Sequence, residues 1–80
     1  MRESRTLRDF GFIEPDARVY AVRAACENEA VRACIVESVH GDESYAELHD
    51  DYIGDVTADF EDIYETKAEA EAAARGAGLL

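Results

Sequence analysis

The distribution of acidic side chains is the tightest constraint on what this chain can fold into. Residues 1–36 balance six carboxylates (Glu3, Asp9, Glu14, Asp16, Glu27 and Glu29) against six arginines. Residues 37–80 carry thirteen carboxylates against Lys67 and Arg75, so the whole net charge of −11 arises there. The second half must therefore keep a charged side in water while it helps to close a core. At 48% hydrophobic the chain is too apolar for a disordered acidic tail. Its 80 residues make one small domain, which buries only about 60% of the surface its unfolded chain exposes. Self-repulsion among the carboxylates subtracts from stability at low salt.

Pro15, within Glu14-Pro15-Asp16, is the only proline and marks a turn. Before it lies an N-terminal arm, residues 1–14, whose Leu7, Phe10, Phe12 and Ile13 can pad the core. The run Ala17 to Ala24 has the β-branched and aromatic content of a strand in Val19, Tyr20 and Val22. Asn28 then offers an N-cap, and Val31, Cys34, Ile35 and Val39 follow at helical spacing. Glu29 and Arg32 form an i,i+3 pair on the opposite side, and His40-Gly41 supplies a C-terminal signal. This spacing predicts a helix over 31–39, since a strand there would put Glu37 on the apolar face.

Residues 44–55 admit two readings. Ser44 to Glu47 fits a capping box, with Tyr45, Leu48, Tyr52 and Ile53 lining a short helix that ends at Gly54. The same residues can form a hairpin edge, and strands are preferred because a small sheet needs more than one. Val56, Ala58 and Phe60 alternate with Asp55, Thr57 and Asp59, as in a half-buried strand. The clearest element comes last. Thr66-Lys-Ala-Glu69 is a capping box, an alanine-rich helix follows, Gly76 can close it, and Leu79 and Leu80 can fold back over the sheet edge. The expected fold is a small single α+β domain in β-α-β-β-α order, an antiparallel sheet with helices packed on one face.

Recognisable catalytic chemistry is missing from the sequence. His49-Asp50-Asp51, with Asp55 and Asp59, is the densest ligand cluster. Setting Gly54 at the sixth position of a calcium loop puts His49 first, Ile53 fifth and Phe60 twelfth, none of which fits. Neither HExxH nor Cys/His zinc spacing occurs, and Cys26 and Cys34 read as small buried hydrophobes. Ser4, Ser38 and Ser44 sit in no GxSxG turn, and five scattered glycines build neither a phosphate loop nor a dinucleotide fingerprint. No metal, cofactor or enzymatic activity is expected. With no apolar run near the roughly 20 residues that cross a bilayer, and no apolar region behind the N-terminal arginines, the expected location is the cytoplasm.

Charge excludes nucleic acid and membrane headgroups as partners and favours a protein with a basic surface. A compact domain of this length is roughly 30 Å wide, and duplex DNA of that length carries about 18 phosphates, half of them facing one partner. Thirteen carboxylates are of the same order, so the domain can compete for a groove that holds nucleic acid. The expected contact set is Asp42, Glu43, Tyr45, Glu47, Asp50, Asp51, Tyr52, Asp55, Asp59, Glu61, Asp62 and Glu65, with charge steering association and tyrosines slowing release. Seven arginines against one lysine and fourteen alanines suggest a GC-rich source. In that profile, a short acidic α+β chain without catalytic motifs, the sequence resembles the anti-CRISPR proteins that phages and mobile elements encode. The resemblance implies stoichiometric binding to a Cas protein or surveillance complex, blocking DNA recognition or nuclease recruitment in the bacterial host cytoplasm. The alternative is a small accessory or antitoxin-like protein that masks a basic partner or self-associates.

Overall fold

A computed structural model describes residues 10–22 and 30–79. Five strands run in the order β1 (Arg18–Val22), β2 (Val31–His40), β3 (Tyr45–Asp50), β4 (Gly54–Asp59) and β5 (Ile63–Tyr64), followed by one helix, α1 (Lys67–Gly76). They form a single antiparallel sheet ordered β4-β3-β2-β1-β5, with β2 at its centre and β4 and β5 at its edges. A three-residue 3-10 turn, Phe60–Asp62, joins the two edge strands. Flat strands four spacings apart would lie about 19 Å from one another, whereas the four Cα steps from Asp59 to Ile63 reach at most about 15 Å. The sheet is therefore curled.

The helix expected over 31–39 is strand β2, a correction with a clear cause. As the central strand, β2 buries apolar groups toward both faces: Cys34 and Val36 enter the core while Val31 and Ile35 are half-buried on the other side. Apolar residues drawn alternately from two faces reproduce helical spacing by accident. The objection from Glu37 is answered by a β-bulge. Register shifts between Val36 and Ser38, so that Val36 opposes Leu48 and Ser38 opposes Glu47. The extra residue lets Val36 and Val39 both line the core while Glu37 stays exposed. The architecture is thus α+β, with a β-β-β-β-β-α order and a single helix among the described residues. Asn28 and Glu29, the predicted cap and the predicted carboxylate partner of Arg32, lie outside the described residues.

Other expectations hold. Ala17 donates to the Glu14 carbonyl at 3.0 Å, with Asp16 at φ 73°, the features of a type II turn led by Pro15. The β3–β4 stretch is the hairpin and not the capping-box helix, closed by Asp51-Tyr52-Ile53 with Gly54 at φ 102°. Thr66 caps α1, its hydroxyl accepting from the Glu69 amide at 3.2 Å. The helix closes differently from expectation. Gly78, at φ 80°, takes the left-handed position in place of Gly76; its amide donates to Arg75 and the Leu79 amide to Ala74, a Schellman pattern.

The core face gathers Val19, Ala21, Cys34, Val36, Ala46, Leu48 and Ile63, all essentially inaccessible. Helix α1 lays Ala70 and Ala74 over the β1, β2 and β5 side, their small side chains allowing a close approach. Ile13 completes the core, and the Phe10 and Phe60 rings, 5.4 Å apart, pack at its margin. Leu48, fully buried in the middle of β3, tests this packing directly. Leu48→Ala is expected to cost about 2–5 kcal/mol, read as a lowered midpoint in urea unfolding with an unchanged slope.

Candidate functional site

The site begins with a charge on the wrong face. Alternation along β3 sends Ala46, Leu48 and Asp50 to the core, so Asp50 is only 1% exposed. Arg32, two residues before Cys34 on β2, points to the same face and meets it with two hydrogen bonds, Nε to Oδ2 at 2.8 Å and Nη2 to Oδ1 at 3.0 Å. The Oδ1 atom also accepts from the backbone amides of Tyr52 at 2.8 Å and Ile53 at 3.2 Å. One buried carboxylate thus ties β2 to β3 and holds the β3–β4 turn in shape. Above it the Arg32 guanidinium lies 5.3 Å from the centre of the Tyr52 ring. Tyr52 and Ile53, 82% and 47% exposed, are the exposed large apolar side chains among the described residues.

Asp50 consequently belongs to no contact surface, and the sequence-based assignment of it as a partner-binding residue is corrected. Its neighbours in that set fall into two groups. Asp55 and Asp59 project from β4 beside Thr57, all exposed, with Asp51 and Tyr52 in the turn at one end. At the other end Tyr45 faces Asp59 across the ladder, and the Phe60 amide donates to Ser44 at 2.9 Å. That bond brings the Gly41–Glu43 turn, with Asp42 and Glu43, beside the Phe60–Asp62 turn, with Glu61 and Asp62. Glu47 lies on the outer face of β3, 3.3 Å from His40, whose ring stacks on Tyr45. Glu65, exposed, directly follows β5 on the other edge strand.

Sequence reasoning grouped His49 with Asp50, Asp51, Asp55 and Asp59, and missed Glu37 as a neighbour. His49 on β3 faces Asp55 on β4, and the β2 bulge turns Glu37 toward both. The His49 Nδ1 lies 3.1 Å from Asp55 and 4.0 Å from Glu37, and its Nε2 lies 3.6 Å from Asp51. One imidazole nitrogen and two carboxylate oxygens, from Glu37, His49 and Asp55, fall within 4.8 Å of one another. These are ligand types that a divalent transition ion accepts, here with His49 half-buried and hydrogen-bonded to Asp55 and both carboxylates exposed. No spacing in the sequence announces the trio, because it depends on strand register and on the bulge.

No protein-family model matches this chain, and no curated protein or solved structure is significantly similar to it. Among the described residues no helix is long and apolar enough to cross a membrane. A shallow depression is lined by Glu37, Glu47, Asp55, Val56 and Thr57, three carboxylates beside an apolar and a hydroxyl-bearing side chain.

Protonation behaviour follows from these contacts. The Arg32 hydrogen bonds hold the Asp50 carboxyl well below the usual carboxylate range, against the opposing effect of burial and with help from the Tyr52 and Ile53 amides. Stability from a depressed carboxyl is complete above its unfolded pKa, about 3.9, and is lost as pH falls from there toward the folded value. Arg32→Ala, which strands the buried carboxylate, is expected to cost about 3–5 kcal/mol at neutral pH. Asp50→Asn keeps an acceptor for the turn and should flatten the loss of stability below about pH 4, measured by urea unfolding across pH. His49 moves the other way: its hydrogen bond to Asp55 raises its pKa above the ordinary 6.5, opposed by desolvation and reinforced by the charges of Asp55, Glu37 and Asp51. The bonus from its charged form is present below pH 6.5 and lost as pH rises through the folded value. Imidazole titration by NMR should show the raised midpoint, and Asp55→Asn should lower it.

Proposed function

We propose that this chain is a non-catalytic, protein-binding inhibitor that occupies the basic, nucleic-acid-binding surface of a partner protein. The observation that carries the reading is the concentration of carboxylates on one edge strand and the turns at its ends. Asp51, Asp55, Asp59, Asp42 and Glu43 lie along this edge as a ridge, while Glu61 and Asp62 line a depression shared with Tyr64 and the end of α1. Strand β4 alone spans about 20 Å at ~3.3 Å per residue, a length comparable to the 30 Å extent of the molecule. Such a ridge opposes a groove built to hold phosphates, and complementary charge accelerates and orients encounter.

Tyr52 supplies what charge alone does not. It stands at one end of the ridge on a turn pinned by Asp50, so little conformational freedom is lost when it is buried. A rigid, exposed tyrosine flanked by Asp51 and Asp55 has the properties of an interface anchor. In the specific form implied by the anti-CRISPR resemblance, the partner is a Cas effector subunit and the result is loss of DNA recognition or nuclease recruitment, in the cytoplasm of a bacterial host.

Competition tests this reading. The chain should displace fluorescent duplex DNA from the Cas effector of its host, and displacement should weaken sharply as salt rises from ~0.1 M to ~1 M and the Debye length falls from about 10 to 3 Å. A variant combining Asp51→Asn, Asp55→Asn and Asp59→Asn should lose most of the competition while keeping its fold. Equal displacement by that variant would reduce the acidic ridge to a solvating surface.

A further inference from the structure

The two edges of the sheet are protected in different ways. Strand β5 is two residues long and both are buried, which leaves little edge for another chain to join. Strand β4 is six residues long and pairs with β3 in unbroken register from Gly54 to Asp59. It contains no proline, and the described register shows no bulge there, unlike in β2. Its two sides also differ in chemistry. Asp55 and Asp59 are exposed on the outer face, whereas Val56 and Ala58 turn to the core side and are only half-buried, at the margin of the apolar cluster. Among the described residues, the core is thus incompletely roofed along this edge.

We infer that β4 accepts an extended basic segment of the partner protein as a sixth strand, with apolar and Lys or Arg side chains alternating along it. This deepens the proposed function and rests on it. The period of 2 places every second residue of an added strand on each face. Apolar residues of the segment would cover Val56 and Ala58. Cationic residues would then stand on the outer face beside Asp55 and Asp59, four residues apart, about 13 Å at the usual rise. Asp55 already bonds His49 through Oδ1, but a carboxylate has acceptor capacity for more than one donor.

A second copy of this chain is a poor occupant of the same edge. Antiparallel pairing of β4 with itself about Thr57 would set Asp55 against Asp59 twice, and like charges directly opposed destabilise a ladder. The carboxylates therefore select against self-pairing and for a basic strand.

The probe is a capped octapeptide of alternating Lys and Val, titrated at low salt into the isotopically labelled chain and followed by amide NMR. Saturable shifts are expected at residues 54–59, with new hydrogen-exchange protection there. The paired variant Asp55→Asn with Asp59→Asn should bind about tenfold more weakly, the loss of two cross-strand charge pairs. The same peptide N-methylated at every amide keeps its charge and side chains but lacks backbone donors, and it should leave β4 unshifted. Equal binding of the methylated peptide, or shifts that map away from β4, would overturn strand addition while the acidic-ridge reading stands. If neither peptide binds at low salt, both readings fall.

Discussion

A single buried carboxylate holds the acidic half of this protein in register. Asp50 accepts both Arg32 nitrogens and two turn amides, so the centre of the sheet and the β3–β4 turn share one set of hydrogen bonds. Taking a carboxylate out of water costs several kcal/mol and is compensated only where its lone pairs are satisfied, a condition met here. A pair of matched hydrophobic residues could pack the same space with similar stability. What such a pair could not supply is the acceptor that fixes the Tyr52 and Ile53 amides, and with them the path by which the chain enters β4.

From that turn the rest of the surface follows. Entering β4 at Gly54 in this register sends Asp55, Thr57 and Asp59 outward and Val56 and Ala58 toward the core. The reverse register would bury the carboxylates, which is energetically excluded. The sheet then curls because only Phe60–Asp62 connects its two edges, and this leaves the β4 rim lined with charge on one side and thinly covered apolar groups on the other. The outer face adds the His49 cluster, where an imidazole with a raised pKa locally offsets some of the acidity. Electrostatics here is therefore a matter of placement as well as total.

Much of the fold was legible in the chain, and the failures share a cause. The capped alanine helix, the Pro15 turn and the alternation through Asp55–Asp59 are local signals, decided by neighbours within a few residues, and each is realised in the structure, with Phe60 passing into the following 3-10 turn. Strand β2 was illegible because a central strand lacks the one-faced alternation that identifies strands, and its two apolar faces mimic a helical period. Strand β5 is two residues long and forms only because β1 offers an edge. Of the twelve residues predicted for the candidate site, ten are exposed, Tyr45 is half-buried and Asp50 is buried; for the carboxylates among the ten, exposure follows from charge. Asp50 escaped the same logic, because its partner Arg32 is eighteen positions away.

By itself, the sequence determined the net charge, its confinement to residues 37–80, the helix over 67–76 and the half-buried character of β4. Composition and short-range periodicity encode these directly. Tertiary structure alone decided that Arg32 and Asp50 meet, that a bulge turns Glu37 toward His49 and Asp55, and that the strand bearing Asp55 and Asp59 forms an edge. Each of those depends on strand order and register, which are set by how faces pack over the whole sheet rather than by any local run of residues.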